Sequence, residues 1–263
     1  MKFTSHHITF EYDDVGNGVP LLLIHGFPLD RSVWRSQIEG LQAVARLIAP
    51  DLRGFGQSAE APETMTMDDY GADLKALLDA LGLHQAVLCG LSMGGYIALA
   101  FLAKYPDRVK GLILANTRAG ADSEPAREGR YATAKKALEE GVSPIAEAML
   151  PKLLTEATRA SRGSLVTFVK AMMAKQHANG VAAALRGMAA RPDRGEWIKS
   201  INVPTLILTG RDDTLIPPAE SEAMHKAIPG SRLVVIPDAA HLSNIEHPEA
   251  FNAAVRDFLS RLK

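Results

Sequence analysis

The chain has 263 residues, a length that suits one large α/β domain carrying an insertion better than two separate cores. Hydrophobic residues make up 47% and charged ones 22%, a balance that excludes a disordered chain and allows a sizeable core. Lys and Arg number 29 against 30 Asp and Glu, so the formal charge of -1 gives no general drive toward nucleic acid or an anionic membrane.

The single cysteine, Cys89, allows no internal disulfide and lies in an apolar stretch, which points to a reducing compartment. The opening Met1-Lys2-Phe3-Thr4-Ser5-His6-His7 shows no apolar core followed by a small-residue cleavage site, so a cytoplasmic location is expected. Residues 86–103 carry no charge and match the roughly 18-residue length of a membrane span. Gly90, Ser92, Gly94 and Gly95 interrupt that run and fit a sharp turn in a soluble domain instead.

Strand pattern runs over 4–12, over 20–24 after the Gly16-Asn17-Gly18 turn, and over 46–49. Thr66 and Asp69 have capping-box spacing, and Leu74, Leu77, Leu78 and Leu81 then line one helical face until Gly82. Residues 86–91 read as a buried strand, 94–105 as a helix ended by Pro106, and 109–115 as a second buried strand. This alternation predicts an α/β fold, a mainly parallel sheet flanked by helices.

Residues 119–195 change character, with an Ala-, Met- and Arg-rich helical pattern and almost no β-branched runs. They are expected to form an inserted helical cap on a core made of 1–118 and 196–263. The cap holds 12 Lys and Arg against 8 Asp and Glu, so it carries +4 and the remainder -5, a hint of an acidic ligand near the insertion. After Pro204 the first rhythm resumes, with strands over 203–209 and 233–236 and a closing helix over 248–262.

The most informative string is Gly90-Leu91-Ser92-Met93-Gly94, a Gly-x-Ser-x-Gly between a predicted strand and a predicted helix. A serine on so sharp a turn needs neighbours without side chains, and the following helix presents its positive end to the hydroxyl. Ser92 is therefore the expected nucleophile. An ordinary serine needs a base, and the base needs an orienting group. Of eight histidines, His241 lies in the loop after the strand ending near Ile236 and before the last helix. His6 and His7 in an amino-terminal hairpin, His84 in a helix–strand loop and His225 on a helix face read as surface or packing residues. His247 reads as a helix-start residue, and His177 as a partly exposed polar residue of the insertion. The orienting acid falls in Gly210-Arg211-Asp212-Asp213, directly after a strand, where two aspartates compete. The order nucleophile, acid, histidine differs from that of other serine triads.

With these motifs the chain resembles the α/β-hydrolase superfamily over nearly all of its length outside the insertion. The resemblance is carried by His25-Gly26-Phe27-Pro28, Asp51 to Ser58, the serine turn, Gly210 to Pro217 and Ala239 to Pro248. It implies that Asp213, fourth in Gly-x-x-Asp-x-x-x-Pro, is the acid and that Asp212 is a loop residue facing solvent. It also implies an oxyanion hole from the N–H groups of Phe27 and Met93, with His25 structural. Serine at position 92 disfavours the dehalogenase and epoxide-hydrolase branches. Residues 240–246 and 185–193 are most similar to 3-oxoadipate enol-lactonases and neighbouring esterases.

A small-molecule ester or lactone substrate is expected, cleaved through an acyl-enzyme, with no cofactor. His241 must be neutral to act as base, so activity should fall on acidification. Gly54-x-Gly56-x-x-Ala59 matches a dinucleotide fingerprint, but Pro62 stands where the helix must already have begun. His241 and the pair Glu246-His247 lack zinc-protease spacing, so no metal is expected. Met172, Met173, Met188 and Trp197 are candidate pocket walls, and Arg186 and Arg191 candidate carboxylate partners. Rival readings on the same scaffold are a cofactor-free haloperoxidase or perhydrolase and a non-enzymatic receptor for a small ligand.

Overall fold

The apolar run 86–91 and the run 109–115, interrupted near its start by Lys110, become neighbouring parallel strands in the middle of the sheet, as burial on both faces favours. They are Ala86–Leu91 and Val109–Ala115, with the bounds expected from the sequence. The computed structural model describes residues 1–5, 8–58 and 60–262. Its strands are β1 (Lys2–Ser5), β2 (Ile8–Val15), β3 (Val19–Ile24), β4 (Ala45–Pro50), β5 (Ala86–Leu91), β6 (Val109–Ala115), β7 (Thr205–Gly210) and β8 (Arg232–Ile236). They form one sheet in the order β1-β2-β4-β3-β5-β6-β7-β8. Only β1 with β2 and β2 with β4 pair antiparallel.

Alternate strand residues feed the two faces, since successive side chains of a strand point to opposite sides. Leu21, Leu23, Val87, Cys89 and Ile113 join one apolar cluster, while Leu22, Ile24, Leu88, Leu112 and Leu114 join the other. Cys89 is fully buried on β5, and burial pushes its thiol well above the usual range.

The helices of the first half are α1 (Arg35–Leu41), α2 (Met67–Ala80) and α3 (Met93–Lys104). α2 starts with the expected capping box: Thr66 Oγ1 accepts the Asp69 N–H at 3.1 Å, and the Asp69 carboxylate accepts the Thr66 N–H at 2.9 Å. Leu74, Leu77 and Leu78 are its buried face. The uncharged run 86–103 is divided between β5 and α3, and no described helix is long and apolar enough to cross a membrane.

Between β6 and β7 lie α4 (Glu124–Glu140), α5 (Ser143–Leu153), α6 (Glu156–Ser161), α7 (Gly163–Ala174) and α8 (Ala178–Ala189), with no strand among the described residues there. α4 packs along α8, and α5 along α7. The chain closes with α9 (Pro218–Ala227), α10 (Ser243–Glu246) and α11 (Pro248–Ser260).

The strand pattern expected over 4–12 is divided in the structure. β1 ends at Ser5 and β2 starts at Ile8, paired from Lys2↔Glu11 to Ser5↔Ile8. Two-residue alternation is the same in both arms of a hairpin, so the pattern itself does not mark the reversal. His6 and His7 lie outside the described residues. The helix expected from Gly94 starts at Met93, because Ser92 itself breaks the strand.

Candidate active site

Polar residues of interest collect at the carboxyl ends of the parallel strands, where open α/β sheets leave a crevice. Ser92 stands between β5 and α3 at φ 54° and ψ -115°, a conformation that costs a non-glycine residue about 1–3 kcal/mol. The surroundings hold it there. Its N–H donates to Ala115 O at 2.9 Å, and its carbonyl accepts from Thr117 Oγ1 at 2.7 Å. A Cβ at Gly90 would collide with the Gly94 carbonyl, and one at Gly94 with the Ile24 carbonyl. Met93 is the first residue of α3, so its N–H has no acceptor within that helix.

Asp213 follows β7 and is buried, whereas Asp212 is exposed. Asp213 Oδ1 accepts the N–H groups of Leu215 and Ile216, each at 2.9 Å. Its Oδ2 accepts from Asn116 Nδ2 at 2.9 Å and from His241 Nδ1 at 2.8 Å. A carboxylate only accepts, so Nδ1 carries the proton and Nε2 keeps its lone pair. His241 is 1% exposed, and its Nε2 is buried with no hydrogen-bond partner among the described residues. The geometry thus joins His241 to Asp213 and leaves the Ser92–His241 hydrogen bond unmade.

Asn116, at φ 46° after β6, also donates to Ala240 O at 3.2 Å and accepts from Ser243 Oγ at 2.6 Å. Its sequence carried no signal beyond its place at the end of an apolar strand. His25 is fully buried: Nδ1 donates to Gly26 O at 2.9 Å and Nε2 accepts the Leu52 N–H at 3.0 Å. Burial holds its pKa below the ordinary value, so the ring stays neutral and fixes the loop that carries Phe27.

Ser92 and Phe27 open onto a cavity of about 560 Å³ whose far walls come from α4, α5 and α8. Ile145, Met149, Leu185 and Met188 give it apolar surface, and Arg118, Arg130, Lys136 and Lys152 give it cations. Among the described residues Asp122 is the only acid lining it, and its side chain is shut off from solvent. Arg118 and Arg130 bond to that carboxylate, and Arg191 joins it at 2.8 Å. Burial alone would raise the Asp122 carboxyl, but the hydrogen bonds from Arg191 and Arg130 hold it well below the usual carboxylate range. Arg130 Nη1 donates to the Met188 thioether at 3.4 Å. A separate recess of about 600 Å³, lined by Asp30, Arg31, Asp51 and Lys175 among others, holds none of the expected catalytic residues.

A family model for the alpha/beta hydrolase fold matches residues 19–248. The chain belongs to the α/β hydrolase fold family. A thermophilic esterase from Thermogutta terrifontis, solved with malate bound, superposes with a TM-score of 0.97 at 44% identity, covering 100% of this chain and 98% of its own. The enol-lactonase from Burkholderia xenovorans LB400 gives 0.92 at 31%, covering 99% and 100%. A 3-oxoadipate enol-lactonase of Acinetobacter baylyi is 29% identical over 260 residues, 98% of this chain and 96% of that protein.

Of the expected substrate residues in this α/β hydrolase, only Met188 lines the cavity with Ser92. Met172 and Met173 are buried instead in the apolar cluster of Leu21 and Cys89, with Val169 and Leu153. Trp197 packs partly buried against the cluster of Leu22 and Leu88, with the Arg194 guanidinium 5.2 Å from its ring. Arg186 points to the other side of α8, where Nη1 donates to Glu63 O at 2.7 Å. Arg191 is buried, stacked over the Tyr96 ring at 4.2 Å and already paired with Asp122. The cationic wall is made by Arg118 and Arg130, which the sequence did not single out.

Three further histidines of the hydrolase chain have ring partners. His177 is exposed with Nε2 3.2 Å from Gly56 O, His225 bonds Ser231 Oγ at 3.0 Å, and His247 Nε2 lies 2.9 Å from Asp238 O. The Gly54–Gly56 segment is followed by no helix before α2, and the Gly56 N–H is taken by Gln176 Oε1 at 2.8 Å. Ala59 of that pattern lies outside the described residues.

Proposed function

We propose that the protein hydrolyses carboxylic esters or lactones through an acyl-enzyme on Ser92. Residues 119–195 would form the cap over a core of 1–118 and 196–263. The observation that carries this reading is the buried His241, tied by Nδ1 to Asp213 with Nε2 left without a partner. Nε2 takes the Ser92 proton as Oγ attacks the carbonyl carbon. Asp213 steadies the imidazolium that results. The tetrahedral oxyanion receives hydrogen bonds from the N–H groups of Phe27 and Met93, each typically contributing about 3–4 kcal/mol. Collapse expels the alkoxide, which takes the proton from His241. Water then attacks the acyl carbon by the same steps and frees Ser92.

Phenylmethylsulfonyl fluoride tests the assignment. Inactivation against p-nitrophenyl esters should coincide with one sulfonyl adduct, located on Ser92 by peptide mass. An inactivating adduct on any other residue overturns it.

The wall of the cavity narrows the substrate. Three guanidiniums surround one Asp122 carboxylate, and two of them line the space above Ser92. That excess of positive charge favours an acyl group ending in a carboxylate, as in a half-ester or a lactone of a dicarboxylic acid. The names of the enol-lactonase relatives and the malate held by the Thermogutta esterase agree with an acidic substrate.

A further inference from the structure

The loop that carries His241 is held from outside the sheet. The Ala240 N–H, immediately before the histidine, donates to Glu246 Oε2 at 2.7 Å. The Leu242 N–H, immediately after it, donates to Leu153 O at 3.0 Å. The other oxygen of Glu246, Oε1, accepts the Thr155 N–H at 2.8 Å and the Thr155 hydroxyl at 2.9 Å. Arg162 Nη1 donates to the Glu246 carbonyl at 2.7 Å. Leu153, Thr155 and Arg162 all belong to the inserted segment. Leu153 is the last residue of α5, whose Ile145, Ala148 and Met149 line the cavity, and Thr155 and Arg162 flank α6.

A carboxylate suits this place because both of its oxygens accept and neither donates. Glu246 is 2% exposed. Burying a carboxylate is costly unless every lone pair it turns inward is met by a donor. Here one side meets the histidine loop and the other meets the insertion.

We propose that Glu246 is a positioning residue that couples the inserted helices to the base, setting where His241 Nε2 stands relative to Ser92. The inference rests on the reading of His241 as the base. It gives the insertion a part in the proton transfer in addition to forming the cavity: a shift of α5 moves the two peptide groups that flank the imidazole. Glu246→Gln breaks the coupling on one side only. If the amide oxygen keeps the two Thr155 donors, the NH₂ group faces the Ala240 N–H and displaces it.

The test compares wild type, Glu246→Gln and His241→Ala for kcat, KM, thermal midpoint and the low-field proton resonance of the His241 Nδ1–H held by Asp213. Misplacing a reacting group by about 1 Å can cost on the order of 100-fold in rate. Glu246→Gln should accordingly lower kcat by about 10- to 100-fold with KM little changed, and should move the ring resonance. An unchanged kcat while His241→Ala is inactive overturns the coupling and leaves the base assignment standing. A loss of kcat that tracks only the unfolded fraction, with the ring resonance unmoved, overturns it as well. Normal turnover by His241→Ala removes the base assignment and the coupling with it. Should Glu246→Gln fail to fold, Thr155→Val, which deletes the hydroxyl donor to Glu246 together with the cap that hydroxyl gives the Thr158 N–H, but keeps the Thr155 N–H, should give the same split with a smaller loss and move the ring resonance; an unchanged kcat there overturns the proposal.

Discussion

At the carboxyl edge of the sheet, polar groups are held by backbone. Ser92 is fixed by the Ala115 carbonyl and the glycines around it, and Asp213 by the N–H groups of Leu215 and Ile216. Across the cavity, polar groups are held by one another: Asp122 by Arg118, Arg130 and Arg191, and Arg191 in turn by the Tyr96 ring. Backbone restraint is indifferent to pH, whereas a hub of ions depends on the charge of its one acid. The strand-end edge is thus the part held independently of charge, and the cavity wall is the part that charge can retune.

Removing the hub's acid should give the largest effect on stability. Asp122→Asn leaves three guanidiniums around a neutral amide and should lower the unfolding free energy by about 3–5 kcal/mol, measured by urea unfolding at neutral pH. The folded carboxyl lies below its ordinary value of 3.8, so on acidification the unfolded chain binds the proton first. The stabilisation is therefore complete above that value and lost as pH falls below it. A gap between wild type and variant that persisted undiminished at pH 3 would show that charge is not what holds the hub.

Arg130→Gln probes the same wall with a smaller change. It should lower kcat/KM for the p-nitrophenyl half-ester of glutarate by about tenfold, the equivalent of one charge-assisted hydrogen bond, and leave p-nitrophenyl butyrate nearly unaffected. Equal losses on both esters would deny the wall a role in selecting charge.

The smallest effect is expected on the sheet side. Thr66→Ala removes one half of the capping box of α2 and should cost about 1 kcal/mol of stability. Esterase kinetics should stay as in wild type, because Thr66 does not line the cavity. Altered kcat would mean that the two regions are less separate than their contacts indicate.

The same division explains what the sequence made legible. Ser92, Asp213 and His241 stand at the ends of strands that apolar runs announce, and each carries a short motif. Asn116 has no such marker, since Asp213 is 97 residues away; Asp122 has Arg118 and Arg130 nearby in the chain, but Arg191, which completes its surroundings, is 69 residues away. Arg186, expected as a carboxylate partner, is absent from the cavity lining for a reason of helix geometry. Leu185 and Met188 are three residues apart and share the cavity face of α8. Arg186, one residue after Leu185, is turned about 100° away. Trp197, just past the last inserted helix, found apolar cover beside Arg194 that no local pattern describes.

Cys89 sits on a central strand three residues before Ser92, closed off on both sides by apolar layers. An alkylating reagent reaches it only when the apolar layers packed on the sheet part, including Met172 and Met173 of the inserted helices. The lone thiol is therefore a built-in clock for global opening. Its labelling rate, set beside the rate of Ser92 modification, separates breathing of the cavity from unfolding of the protein.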